Sequence, residues 1–242
     1  MLGTIVNSLA IIFGSILGLF LRGGLKENYK SIVMNALALS VIFIGSSSAI
    51  GGINSGNANP VLFIVSLVLG SLIGEFLKIE EKLQLLGESL QSKCGGENST
   101  IAQGFVTASL VFCIGTMAVV GSMESGINHN HTTLFVKSLI DGTAAIIFSS
   151  TLGIGVIFSA VSVFIYQGIL TVFASFLKPY LTDNMLLEIS ITGGILIAAI
   201  GINMFEIKKI KVGNMLPAIF IPVIFYTPFF QNIINFFKGL FF

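Results

Sequence analysis

The sequence predicts an all-α fold, a polytopic bundle of about eight membrane-spanning helices. Three observations carry that prediction. The composition is 54% hydrophobic and only 10% charged, with a mean hydropathy of +0.98. A soluble domain carries roughly 25% charged residues, and no soluble core hides this much apolar surface. Apolar runs of spanning length recur along the chain, and the basic residues gather in alternate loops.

A span needs roughly 20 mostly apolar residues, with a range of about 17–25. The first four expected helices lie at about 2–21, 31–50, 60–77 and 101–121. Leu2 to Leu21 lacks a basic leader and a small-residue cleavage site, so it reads as a retained span. From Leu134 to Leu177 the chain stays apolar for longer than one span. It divides into two helices, about 133–150 and 154–177, with a turn at Ser149 to Gly153 and an end before Pro179. The last two helices fall at about 184–204 and 213–230, and the aromatic tail from Gln231 to Phe242 fits the membrane interface. One membrane domain covers residues 1–242.

Arg22, Lys26 and Lys30 share the first loop, Lys78, Lys82 and Lys93 the third, and Lys208, Lys209 and Lys211 the seventh. With eight helices all three loops fall on the cytoplasmic side and both termini outside. Lys178 and Lys238 run against this pattern as single residues. Residues 78–93 read as a short amphipathic surface helix, with Ile79, Leu83, Leu86 and Leu90 on one face and Glu80, Glu81 and Glu88 opposite. Gly95 to Ser99 is the linker that follows it.

The sequence also carries internal helix-hairpin repeats. VIFIGSSSAIGGINSG (Val41 to Gly56) matches VFCIGTMAVVGSMESG (Val111 to Gly126) without a gap, and LFIVSLVLG (Leu62 to Gly70) matches LFVKSLIDG (Leu134 to Gly142). GSILGLFLR (Gly14 to Arg22) resembles GSLIGEFLK (Gly70 to Lys78). Repeats of this kind are a common way to build transporters.

Asp141 is the first candidate for function. It lies well inside the fifth expected helix, where a carboxylate costs roughly 2.5–3.5 kcal/mol on insertion scales. Such residues face the bundle interior and mark an ion or substrate path. Lys137 sits one turn earlier and can pair with it. Glu124 in the outer turn, Gln167 in the sixth helix, and Asn7 and Asn35 in the first and second complete a candidate polar pathway. Each taken alone reads first as an interhelical hydrogen bond, worth roughly 0.6 kcal/mol on average. Glu75 and Glu188 lie near span ends, where solvation favours a structural role. Gly14, Gly18, Gly45, Gly70, Gly74, Gly115 and Gly142 read as helix-packing glycines, and Gly45 and Gly115 also fit a broken, ion-coordinating helix.

Other classes find little support. His129 and His131 form an H-x-H without a third ligand, so no metal is expected. Cys94 in a loop and Cys113 in a span do not make a disulfide framework. There is no nucleophile elbow, zinc-protease helix or P-loop, so neither an enzyme nor a cofactor is expected. A net charge of +1 without a long basic run gives no footprint for nucleic acid. The expected partners are the lipid bilayer and a small ion or solute, and a homo-oligomer is compatible with the sequence.

The chain resembles the YdfK/YqgA family of bacterial inner-membrane proteins, the domain of unknown function 554. The resemblance rests on MLGTIVNSLAIIFGSILGLFL, GFVTASLVFCIGTMAVVGSMESG, KSLIDGTAAIIFSSTLGIGVIFSAVSVFIYQG and ISITGGILIAAIGINMFEIKKIKVGNMLPA. It implies a bacterial plasma-membrane protein for which transport has been suggested, and it brings no substrate. Two readings follow. One is a transporter or channel with Asp141 in its path. The other is a non-transporting partner or sensor subunit in which the Lys137–Asp141 pair only fixes packing.

Overall fold

A computed structural model describes residues 1–22, 27–94, 100–177, 182–205, 209–227 and 230–232, with the side chains of Glu27 and Lys30 left aside. Lys26, Lys178, Lys208, Lys238, the 95–99 linker and the tail from 233 onward lie outside the described residues. The described residues form helices and no strand. In order these are α1 (Leu2–Arg22), α2 (Glu27–Asn54), α3 (Pro60–Leu77), α4 (Ile79–Cys94), α5 (Ile101–Cys113), α6 (Thr116–Ile127), α7 (Thr132–Leu152), α8 (Gly155–Val172), α9 (Ala174–Leu177), α10 (Asp183–Met204), α11 (Val212–Met215) and α12 (Ile221–Phe225). A 3₁₀ turn, Leu216–Phe220, joins the last two.

Among the described residues six helices are long and apolar enough to cross a membrane: α1, Ser31–Asn54 of α2, α3, α7, α8 and α10. Their outer faces are apolar, with Phe13, Phe20, Phe76 and Leu139 all exposed, as lipid contact requires. The expected fourth span is two helices. α5 and α6 meet at Ile114–Gly115 with a bend of 62°, and together they make a seventh candidate. The expected eighth span is shorter than predicted: Pro217 and Pro222 each remove a backbone donor, and Val212–Phe225 folds as three short pieces. Gly153, at φ 83°, makes the tight turn between α7 and α8.

Small residues set the packing. Gly3 and Gly121 close on Leu134, Gly14 on the Gly142 carbonyl and Gly18 on that of Ile146, so α1 lies parallel to α7. Gly45 packs on Ala198 and Gly52 on Ile191, so α2 and α10 are antiparallel. Gly70 meets Ala218 and Gly74 meets Asn214, which sets α3 antiparallel to the 212–220 segment. Ile101 against Gly155, Gly104 against Val156 and the Ser109–Ser162 hydrogen bond set α5 parallel to α8. One end of the bundle therefore gathers Arg22, α4, Lys209 and Lys211, and the other gathers Met1, the α6–α7 turn and Asn59.

The two hairpins of the sequence match differ in backbone. α2 runs unbroken through Gly45, whereas the helix containing Gly115 is broken there. Gly115 is not a packing glycine: a Cβ there would meet nothing within 4 Å, and its φ of 136° with ψ of 151° is accessible only to glycine.

Candidate functional site

α7 places Lys137 and Asp141 one turn apart on its inner face, and the parallel packing of α1 brings Asn7 to them. Asn7 Nδ2 donates to Asp141 Oδ2 at 3.0 Å, and Lys137 Nζ donates to the same oxygen at 2.5 Å. Relative exposures of 0%, 6% and 5% for Asn7, Lys137 and Asp141 put all three out of reach of water and lipid headgroups. The ammonium and carboxylate cancel in charge, which is what allows them to sit there. Cys113, the last residue of α5, lies close enough for both charges to act on it, so the helix break belongs to the same region.

Further buried polar side chains lie on α1, α6 and α8. Thr4 and Thr171 lie 3.4 Å apart between antiparallel α1 and α8, so Ser8, one turn on from Thr4, stands opposite Gln167, one turn back from Thr171. Gly126 of α6 packs on the Thr171 carbonyl, so Ser122, one turn back, stands level with Gln167 from a third side. Ser8, Ser122 and Gln167 are buried, and Asn7 Oδ1, both serine hydroxyls and both ends of the Gln167 amide have no hydrogen-bond partner.

Two approaches lead toward this layer. On the outer side Glu124 Oε2 accepts from Thr133 Oγ1 at 2.6 Å. Thr133, Lys137 and Asp141 recur every fourth residue, so a polar stripe descends α7 from the α6–α7 turn. On the basic side a cavity of about 610 Å³ lies under α4. Glu80, Gln84, Glu88 and Gln91 of α4 line it together with Gln103, Thr107 and Leu110 of α5, Leu152 of α7 and Asn203 of α10. Glu80, Gln84, Glu88 and Gln91 thus roof a vestibule, while Leu83 packs on the core and Leu86 is exposed. Glu80 Oε2 accepts from the Gly213 amide at 2.7 Å, and Glu80 N donates to Asn214 Oδ1 at 2.6 Å. Glu75 accepts from Lys211 at 2.8 Å and from Asn214 at 2.6 Å, and its carboxylate raises the Lys211 ammonium above its ordinary pKa.

The vestibule stops short of Asp141. Along α7 the order is Leu152 at the cavity, Phe148 one turn further in, then Asp141 two turns beyond. Phe148 and Phe112 pack ring to ring at 5.8 Å between centroids, both 1% exposed. Phe148 thus stands on α7 between cavity-lining Leu152 and Asp141.

Of the sequence candidates, Asp141, Lys137 and Asn7 bond to one another, Gln167 is buried on α8 without a partner, and Glu124 heads the stripe. Asn35 is exposed on α2 and stands apart. His131 Nδ1 lies 2.8 Å from Ser125 Oγ, His129 is exposed, and among the described residues no three His, Cys, Asp or Glu side chains group to hold a metal. Glu188 is a correction. It is fully buried rather than solvated at a span end, and its Oε1 accepts from the Asn59 amide at 2.6 Å, tying α10 to the start of α3. Ser8, Ser122, Phe112 and Phe148 were not singled out in the sequence, where serine and phenylalanine are too common in apolar helices to signal anything.

The family model described as a protein of unknown function (DUF554) matches residues 2–227. "Uncharacterized membrane protein YdfK" of Bacillus subtilis (strain 168) is 35% identical over 222 residues, 92% of this chain and 94% of that protein. "Uncharacterized protein YqgA" of Escherichia coli (strain K12) is 28% identical over 223 residues, 90% of this chain and 93% of that protein. No solved structure matches the chain.

Proposed function

Because the chain belongs to the DUF554 family, we propose that this multi-helix membrane protein is a secondary transporter or channel for a small solute or ion. We place it in the bacterial inner membrane, with its basic end in the cytoplasm and both termini outside. It is read as neither an enzyme nor a cofactor protein. The observation that carries this reading is the buried Lys137–Asp141 pair beside unpartnered polar groups, with a polar stripe on one side and a vestibule on the other. Ionisable residues at this depth are costly, and they characteristically mark a pathway. The broken α5–α6 helix adds support, since discontinuous helices with unpaired backbone groups are a recurring device at transport sites. In this reading the Phe112–Phe148 pair is the closed barrier on the cytoplasmic side.

The rival reading, a partner or sensor subunit, draws on the same barrier, because the vestibule does not reach Asp141. Reconstituted vesicles separate the two. Wild-type protein should carry one of a panel of monovalent cations or small neutral solutes faster than protein-free vesicles. The double variant Asp141→Asn, Lys137→Met, chosen to keep the fold, should carry none. Flux in the double variant equal to wild type would remove Asp141 from the path. No flux in either would favour the partner reading.

A further inference from the structure

We infer that the layer formed by Asn7, Ser8, Ser122 and Gln167 is a binding site for a small neutral molecule with at least two hydrogen-bond donors and one acceptor, such as a urea, a primary amide or a short polyol. The site is that of the pathway reading, and the inference rests on that reading.

Several buried serines and threonines in this bundle return their hydrogen to their own helix, while Ser15 and Thr192, outside the layer, have no partner. Ser66 donates to the Leu62 carbonyl at 2.7 Å, Ser138 to Leu134 at 2.6 Å and Thr171 to Gln167 at 2.7 Å. Ser8 and Ser122 do not, and their oxygens stay buried without a partner. Gln167 is fully buried with neither end of its amide used. Buried polar atoms are nearly always satisfied, so several unsatisfied ones on three packed helices need a common explanation. A guest that completes them supplies it.

Charge selects the guest. Lys137 and Asp141 already neutralise each other at 2.5 Å. A metal cation would enter beside an ammonium, and an anion beside a carboxylate, in a low-dielectric setting where like charges repel strongly. A neutral guest meets neither penalty. Donor and acceptor identity narrows it further. Asn7 turns its NH₂ to Asp141, which leaves its Oδ1 able only to accept. Gln167 Oε1 also only accepts, so the guest must donate twice. Gln167 Nε2 only donates, so the guest must accept at least once. The serine hydroxyls can play either part. A purely apolar guest would leave all of these atoms unmade.

Stopped-flow light scattering on vesicles tests this. Wild-type vesicles challenged with inwardly directed urea, acetamide or glycerol gradients should reswell several-fold faster than protein-free vesicles. Gln167→Leu should abolish the gain, and Ser122→Ala, the milder change, should reduce it in protein that still elutes as a folded species. A sodium or potassium flux measurement on the same vesicles forms the second arm. Neutral-solute flux lost in Gln167→Leu and reduced in Ser122→Ala supports the inference. Asp141-dependent cation flux with no neutral-solute flux overturns it and leaves the pathway reading standing. Neutral-solute flux undiminished in both variants overturns it by placing the route elsewhere. No flux in either arm sinks the pathway reading and the inference with it.

Discussion

Asp141 Oδ2 receives two donors, from α1 and from its own helix, so each residue of the trio protects the others from desolvation. Asp141→Asn keeps the shape but strands the Lys137 ammonium, and losing one partner of a buried pair typically costs roughly 3–5 kcal/mol. Detergent-solubilised Asp141→Asn should therefore unfold at clearly lower temperature than wild type, and adding Lys137→Met should restore most of the loss. A double variant as unstable as the single would show that the pair does not govern stability. These residues were legible in the sequence because a charge or an amide in an apolar run stands out. Their company was less so. Asn35 looked equivalent to Asn7, yet α2 has polar and apolar residues on all sides, and its inner face is set by Gly45 and Gly52, which seat it on α10. Ser8 and Ser122 were hidden because a serine that bonds its own helix and one that does not are the same letter.

At the level of elements, six of the expected spans followed from run length, since a span has a fixed minimum, whereas the fourth is broken and the eighth is shorter than expected. The break at Ile114–Gly115 did not follow, because glycine serves packing and bending alike and only its surroundings decide. Here a Cβ on Gly115 would meet nothing, whereas Gly14, Gly18, Gly70 and Gly74 are each pressed against a neighbour's backbone. The break sets Cys113 beside Phe112, just past the aromatic barrier from the vestibule, which makes a native reporter of water entry. In a Cys94→Ser background, a small charged thiol reagent should modify Cys113 slowly. Phe148→Ala should raise that rate about tenfold or more, since removing a buried ring leaves a void that joins the vestibule to the layer. An unchanged rate in a folded Phe148→Ala protein would mean that the ring pair is not the barrier. The amphipathic pattern of α4 was visible in sequence, but not that its polar side would roof a cavity, because periodicity gives a face and not its neighbour.

For the whole molecule, the grouping of Arg22, α4, Lys209 and Lys211 at one end gives a topology that intact cells can test. Native Cys94, exposed on α4, should not react with an impermeant thiol reagent, whereas a cysteine replacing Asn130 should. The reverse pattern would invert the protein in the membrane. One consequence of the α1–α7 pairing concerns synthesis. The bond between Asn7 and Asp141 spans 134 residues of chain. At about 5–20 residues per second, roughly 7–27 s separate the emergence of the two from the ribosome. During that interval α1 sits in the bilayer with its glycine face and its amide bare. When α7 arrives, its charged pair must leave the insertion machinery for a helix made long before. The first helix is thus a waiting template for the seventh, and a nascent chain stalled before Asp141 would present the cell with an unclosed, degradable intermediate.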